Sequence, residues 1–124
     1  MKQESLIKPR SFEFSVRVVN LYKFLTEERK EFIMSKQLLR SGTSVGANVV
    51  EALSSFSSKE YAAKFSIARK EMAETIYWLE LLRRTEFLSE KEFSSMNEDA
   101  VALMKMLSAT VITMQKRLGR IDCN

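Results

Sequence analysis

The chain has 124 residues, of which 45% are hydrophobic and 29% are charged. This length and balance are typical of one folded domain, residues 1–124, and exclude a wholly disordered chain. The sequence contains no histidine. It therefore lacks the commonest general base and metal ligand, and it cannot form a Ser-His-Asp triad or a Glu-x-x-His di-iron site. We expect no catalytic residues, no metal and no cofactor.

Charge and cysteine content indicate the partners and the compartment. The net charge of +4 is compatible with an acidic partner such as nucleic acid. Cys123 is the single cysteine, so no disulfide can form within the chain, as is typical of the reducing cytoplasm. No segment has the composition of a signal peptide or a membrane-spanning helix. We expect a soluble cytoplasmic protein without membrane contacts.

The N-terminal part contains a polar lead-in and a first helix. With 3 glycines and 1 proline, the chain has few helix breakers. Residues 1–10 have the character of a polar lead-in, and Pro9 favours a helix that starts just after it. Residues 12–25 show both alternating and helical hydrophobic patterns. The length of this run, with no turn residues, favours a helix over a strand.

The second helix is predicted from about Glu28 to Phe56, with Thr26 as its N-cap. Polar side chains follow one stripe of this helix, and a second stripe is apolar (Leu38, Val45, Val49 and Leu53). Gly42 and Gly46 add almost no bulk. Because glycine costs about 1 kcal/mol relative to alanine within a helix, their presence predicts the close approach of another helix.

Two capping boxes predict the remaining helices. Ser57 with Glu60 opens a third helix that runs to about Glu86. Ser89 with Glu92 opens a fourth that runs to Leu118, with Gly119 at the C-terminal cap. Four amphipathic helices with short connections predict an all-α protein, an antiparallel up-down-up-down four-helix bundle.

The polar stripe of the second helix suggests a network with the third. Glu71 and Glu74 are three residues apart on the third helix, and the donors of the second helix can reach them. Paired carboxylates can also bind a hard cation or transfer protons, using Glu51, Glu71 and Glu74. We favour the structural interpretation. The predicted polar seam comprises Gln37, Arg40, Ser41, Ser44, Asn48, Glu51, Glu71 and Glu74.

The fourth helix is apolar on nearly all sides between residues 100 and 115, where Lys105 is the only charge. A helix of this kind is normally covered on two sides. The side away from the core carries Ala102, Met106, Ala109 and Ile112, which we interpret as a candidate subunit interface. The alternative is a monomer with a broad core stripe.

Basic residues are predicted to meet at one end of the bundle, where the first helix starts and the fourth ends. Such a surface can bind phosphates through counterion release. Cations near a helix C-terminus also simply favour the helix dipole, which suffices to explain two of them. The candidate nucleic-acid contacts are Lys8, Arg10, Lys59, Lys116, Arg117 and Arg120.

The seam residues also carry a family resemblance. Together with Lys70-Glu71, Glu74 and Tyr77-Trp78-Leu79, the second-helix pattern resembles the four-helix bundle proteins encoded in intervening sequences of bacterial 23S ribosomal RNA genes. The resemblance implies a four-helix bundle that commonly forms a homopentamer. It also implies similarity to the accessory proteins of diversity-generating retroelements, basic pentamers that associate with a reverse transcriptase and nucleic acid.

The sequence therefore predicts a non-enzymatic homo-oligomer that binds structured RNA or another nucleic acid through a basic pole. The alternative is a protein-interaction adaptor, for example for a reverse transcriptase. An enzyme or metal protein that uses the three glutamates is the third hypothesis.

Overall fold

The computed structural model describes the backbone of residues 2–123 and the side chains of residues 6–119. The described chain forms four helices, α1 (Lys2–Glu27), α2 (Met34–Leu53), α3 (Ser58–Arg84) and α4 (Glu90–Cys123). Helices that pack against each other are antiparallel, because the residues in contact rise in number along one helix and fall along the other. Between α2 and α3, for example, Arg40 pairs with Glu74 and Glu51 pairs with Lys64. The all-α antiparallel bundle predicted from the sequence is therefore confirmed.

Helix α1 starts well before the predicted position. It begins at Lys2 and contains Pro9, so the expected polar lead-in over residues 1–10 is wrong. Pro9 has no N–H to donate to the carbonyl four residues earlier, yet the helix continues through it. Ile7 is fully buried, and this core contact keeps the preceding turns in register with the bundle.

The connection from α1 to α2 also differs from the prediction. Thr26 is not an N-cap, because it lies inside α1 and its hydroxyl donates to the Tyr22 carbonyl at 3.0 Å. The chain leaves α1 through Lys30, whose φ of 56° is left-handed. Helix α2 therefore begins at Met34 rather than at Glu28.

Glu31 caps the start of α2 with its carboxylate. Oε1 accepts hydrogen bonds from the N–H groups of Ile33 (3.0 Å) and Met34 (2.9 Å), and Oε2 accepts one from Ser35 (2.7 Å). The Ser35 hydroxyl donates back to the Glu31 carbonyl at 2.8 Å. Glu31 is 6% exposed, so this carboxylate satisfies N–H groups that water reaches poorly.

The two glycines of α2 lie against another helix, as the sequence predicted, and that helix is α1. A Cβ atom built on Gly42 would lie 2.7 Å from both γ-methyl groups of Val18. One built on Gly46 would lie 3.0 Å from the Ser15 hydroxyl and 3.3 Å from the Ser11 carbonyl oxygen. The close approach of α1 is therefore the reason that these positions carry no side chain.

The start of each later helix follows the predicted capping. Ser57 Oγ accepts from the Glu60 N–H at 3.1 Å. Ser89 and Glu92 form a reciprocal box, in which Ser89 Oγ accepts from the Glu92 N–H at 3.1 Å and Glu92 Oε1 from the Ser89 N–H at 2.8 Å. Helix α4 then continues to Cys123, so Gly119 is a helical residue and not the predicted cap.

The core follows the apolar stripes. Buried side chains from all four helices meet along the bundle axis, and α3 and α4 supply much of this core. Leu53, assigned to the apolar stripe of α2, is instead partly exposed at the end of its helix. Within the part of the chain that the structure describes, no helix has an apolar stretch sufficient to cross a bilayer. The largest fully buried side chains include Ile7, Val18, Leu25, Leu38, Val45, Val49, Phe65, Met72, Leu79, Leu82 and Leu107.

Candidate nucleic-acid interface

Three of the predicted cations lie at one end of the bundle. Arg117 lines a shallow depression of about 320 Å³ together with residues of the α2–α3 turn, among them Phe56 and Ser57, and with Ser58 at the start of α3. Lys59 follows Ser58 in the first turn of α3, and Lys116 precedes Arg117 on α4. All three cations are exposed. We call Lys59, Lys116 and Arg117 the basic end.

Arg10 and Lys8 line other surfaces of the bundle. Arg10 Nη1 lies 3.9 Å from the Met106 sulfur, against the middle of α4. Met106 precedes Lys116 by ten residues, or about 15 Å of helix. Lys8 borders the groove between α1 and α2, which Glu51 also lines. The side chain of Arg120 lies outside the described residues.

Ion pairing distinguishes the basic end from five other cations of the bundle. Among the described side chains, none of Lys59, Lys116 and Arg117 lies within 4.0 Å of a carboxylate. Elsewhere, five cations are paired in this way: Arg17 with Asp99, Arg29 with Glu92, Arg40 with Glu71 and Glu74, Lys64 with Glu51, and Arg83 with Glu90. The charges of the basic end thus face solvent without a direct ion-pair partner among the described side chains, and they can meet a polyanion.

Arg40 connects α2 to two carboxylates of α3. Its Nη1 donates to Glu71 Oε2 at 3.1 Å and its Nη2 donates to Glu74. The Arg40 Nε also reaches Gln37 Oε1 at 3.5 Å. The hydrogen bond from the Trp78 indole (3.0 Å), and next that from Arg40, lower the pKa of Glu74 below its ordinary value. The Glu74 carboxylate is thus held ionised by partners within the chain.

Below this ion pair, Ser41 and Thr75 are both fully buried, and their hydroxyl oxygens lie 2.9 Å apart. Thr75 Oγ1 also lies 2.8 Å from the Glu71 carbonyl. Because a hydroxyl has one proton, both contacts are satisfied when Thr75 donates to the carbonyl and accepts from Ser41. This buried pair sets the register between the two helices.

The remaining seam residues behave differently from one another. Ser44 Oγ donates to the Arg40 carbonyl at 2.6 Å, and Asn48 Nδ2 donates to the Ser44 carbonyl at 2.8 Å, so both bond within α2. Glu51 does reach α3, where Lys64 Nζ lies 3.1 Å from its Oε1. No cluster of three or more acidic or cysteine side chains that could hold a metal occurs among the described residues.

The predicted subunit face of α4 is partly covered by the chain itself. Met106 and Ala109 are half-buried, whereas Ala102 is exposed and Ile112 is 47% exposed. A second apolar surface, which the sequence analysis missed, lies between α1 and α2. There Phe12 (65% exposed) and Val50 border a groove of about 790 Å³. In the sequence, Phe12 and Val50 fall outside the apolar stripes that face the core, and this is the signal that could have identified the second apolar surface.

Phe56 was also missed. The sequence analysis placed it at the end of a long second helix, whereas it lies in the turn between α2 and α3. Its side chain is fully exposed, at 103% of the reference area for the residue. The serines on both sides of it, in the run Ser-Ser-Phe-Ser-Ser, are the sequence signal for a turn.

Comparison with known proteins gives the family. The chain is similar to a Bacteroides thetaiotaomicron protein of unknown function from the S23 ribosomal protein family, with a TM-score of 0.86 and 50% sequence identity over 88% of this chain and 97% of that chain. No curated protein sequence matches significantly. Neither the family description nor the name of the structural neighbour specifies a catalytic activity. Residues 3–109 match the family described as 23S rRNA-intervening sequence protein, and the chain therefore belongs to that family.

Proposed function

We propose that this chain is a non-enzymatic, homo-oligomeric bundle that binds structured RNA or another nucleic acid through its basic end in the cytoplasm. The observation that carries the proposal is that Lys59, Lys116 and Arg117 are exposed and, within the described part of the chain, unpaired. The net charge of +4 and a family named for 23S rRNA support a polyanionic ligand. Lys116 and Arg117 lie beyond the family match, so the argument for them is electrostatic.

Binding of this kind comes from the phosphate backbone. Cations that neutralise phosphates release condensed counterions, so the affinity falls as the salt concentration rises. Phosphate contacts position a nucleic acid without reading its sequence. The basic end should therefore bind nucleic acid with a strong dependence on salt and a weak preference for sequence.

Charge reversal at the basic end is expected to weaken binding of RNA and DNA duplexes alike. In the variant Lys116→Glu/Arg117→Glu, the loss of two phosphate contacts should reduce the slope of log K against log salt on duplex DNA by about 1.8, at ~0.9 per contact. Fluorescence anisotropy with labelled duplexes across a salt series measures this. Circular dichroism checks that the helical content is retained.

The matched control is Lys36→Glu/Lys91→Glu, two exposed lysines in the first turns of α2 and α4. Each pair of reversals lowers the formal net charge from +4 to zero, and glutamate is favourable in a first helical turn. The control should keep most of the affinity. Equal losses in both variants would mean that net charge alone governs binding and that the basic end is not the site.

The homo-oligomer is proposed to form through the outer side of α4, centred on Ile112. Ile112 and Ala102 leave apolar area on this helix exposed, and a second subunit would cover it. The resemblance to pentameric bundles suggests five copies. At 14.4 kDa per chain, a pentamer would have a mass of about 72 kDa.

Ile112→Glu should dissociate the oligomer, because the interface would then bury an unpaired carboxylate. Light scattering after size exclusion should report a fall from about 72 kDa towards 14.4 kDa. Ile67→Glu, at an exposed position of α3, is the control and should keep the oligomer. If Val50→Glu dissociates it and Ile112→Glu does not, the interface lies at the α1–α2 groove. A monomeric wild-type chain would contradict the oligomer itself.

A protein-interaction adaptor, for example for a nucleic-acid enzyme, is the second candidate function. The apolar groove bordered by Phe12 and Val50 favours it, since exposed apolar surfaces mark protein contacts. One protein that is captured by the wild type after nuclease treatment, and lost with Val50→Glu, would support the adaptor. Capture that disappears with nuclease would support the nucleic-acid function.

A further inference from the structure

Phe56 is a large aromatic side chain with no described cover. Helix α2 ends at Leu53 and α3 begins at Ser58, so Phe56 lies in the tight turn between them. It is fully exposed, whereas Tyr61 and Phe65 nearby pack together with ring centroids 4.8 Å apart. An aromatic ring left outside the core presents a free apolar face to any ligand that reaches this turn.

The turn holds this ring on a constrained backbone. On one side, Ser55 Oγ donates to the Ala52 carbonyl at 2.6 Å, which ties the turn to the end of α2. On the other, Ser57 Oγ accepts from the Glu60 N–H at 3.1 Å, which ties it to the start of α3. The backbone before and after Phe56 is thus anchored, so a ligand that stacks on the ring orders few additional groups.

Phe56 also lies beside the basic end. It lines the same depression as Arg117, and Lys59 is three residues further along the chain. Proteins that bind single-stranded nucleic acid combine these two elements, an aromatic face for the base and cations for the flanking phosphates. Stacking tolerates any base, because every base has a π face.

We propose that Phe56 is a stacking platform for an unpaired base of a single-stranded or looped RNA, with Arg117 and Lys59 contacting the flanking phosphates. This inference rests on the proposed function, and it selects unpaired RNA over duplex as the preferred ligand of the basic end. A duplex keeps its bases stacked on one another, so it can contact the cations but not the ring.

The surroundings of Phe56 favour a base over a protein pocket. The core of a protein interface is depleted of charged residues and rich in apolar ones. The chain neighbours of Phe56 are Ser54, Ser55, Ser57 and Ser58, followed by Lys59, and Arg117 lies across the depression. Tyr61 and Met114 also line the depression, but the chain neighbours of the exposed ring are hydroxyl groups and a cation, which matches the alternation of base and phosphate along a nucleic-acid strand.

The test uses an RNA hairpin with a six-nucleotide loop, the same hairpin with an abasic loop, and the blunt duplex of its stem. The abasic loop keeps the phosphates and removes the bases. Phe56→Leu keeps an apolar side chain without an aromatic face, and Phe56→Tyr keeps the face. The wild type and Phe56→Tyr should bind the intact loop about 5- to 150-fold more tightly than the abasic loop, the range expected for one base–aromatic stack.

Phe56→Leu should bind intact and abasic loops equally, and all three proteins should bind the duplex alike. If Phe56→Leu retains the wild-type preference for the intact loop while Lys116→Glu/Arg117→Glu weakens all three RNAs, the stacking role is wrong and the proposed function stands. If the charge reversal changes none of the affinities, the proposed function is wrong. A lower mass of Phe56→Leu in light scattering would place Phe56 in a subunit contact and overturn the stacking role.

Discussion

Replacement of Gly42 by alanine is expected to destabilise the bundle by roughly 1–3 kcal/mol, the usual cost of overpacking a core. The added methyl group would lie 2.7 Å from both γ-methyl groups of Val18. Val18 is fully buried, and a β-branched side chain in a helix has little rotamer freedom, so α1 itself must shift. This cost should exceed the ~1 kcal/mol that alanine gains over glycine in a helix. Urea denaturation monitored by circular dichroism measures the difference.

Two further variants test the cause. Gly119→Ala is the matched control, because the position is helical and, beyond its own turn of helix, no atom of the described residues lies within 4 Å of the added Cβ. It should stabilise the protein slightly or leave it unchanged. Val18→Ala removes the methyl groups that clash, so the double variant Gly42→Ala/Val18→Ala should show a favourable coupling of about 0.5–3 kcal/mol. If Gly42→Ala is as stable as the wild type, α1 does not constrain α2 at this position.

Glu31→Ala is expected to destabilise the protein by roughly 2–4 kcal/mol, more than an ordinary helix cap. The change removes the acceptors of the Ile33, Met34 and Ser35 N–H groups, and the site is too buried for water to replace all of them. Glu28→Ala is the control, since this neighbouring carboxylate is exposed and should change the free energy of unfolding by less than ~0.5 kcal/mol. Equal stability of the two variants would rule out the cap as a major contribution.

The contribution of Glu31 should depend on pH. Burial by itself raises the pKa of the Glu31 carboxyl, but the hydrogen bonds from Met34, Ser35 and Ile33 together outweigh it and lower the pKa below the ordinary 4.5. A lowered pKa in the folded state stabilises the protein above the pKa of the unfolded state. The difference in unfolding free energy between wild type and Glu31→Ala should be complete above about pH 5 and shrink as the pH falls through the folded-state pKa. A difference that is constant from pH 7 to pH 3 would contradict this linkage.

The sequence by itself determined the helical class, the bundle, the two later capping boxes and most of the buried stripes. These features depend on short-range chemistry, such as a serine three residues before a glutamate or an apolar residue every three to four positions. The close approach at Gly42 was also predictable, because two glycines within one helix need a reason. The helix that approaches, α1, was not.

The tertiary structure decided the features in which side chains had several possible partners. Ser41, Ser44 and Asn48 belong to the same helical stripe of polar residues. Ser41 faces Thr75 across the interface, whereas Ser44 and Asn48 donate to carbonyls of their own helix. The reversal of chain direction between α1 and α2 explains two further features. Lys30 has a left-handed conformation in this connection, and Glu31 caps the start of α2. Phe56 lies outside the core for a related reason. The end of α2 is set by the geometry of the turn into α3, and sequence periodicity alone does not define where an amphipathic helix stops.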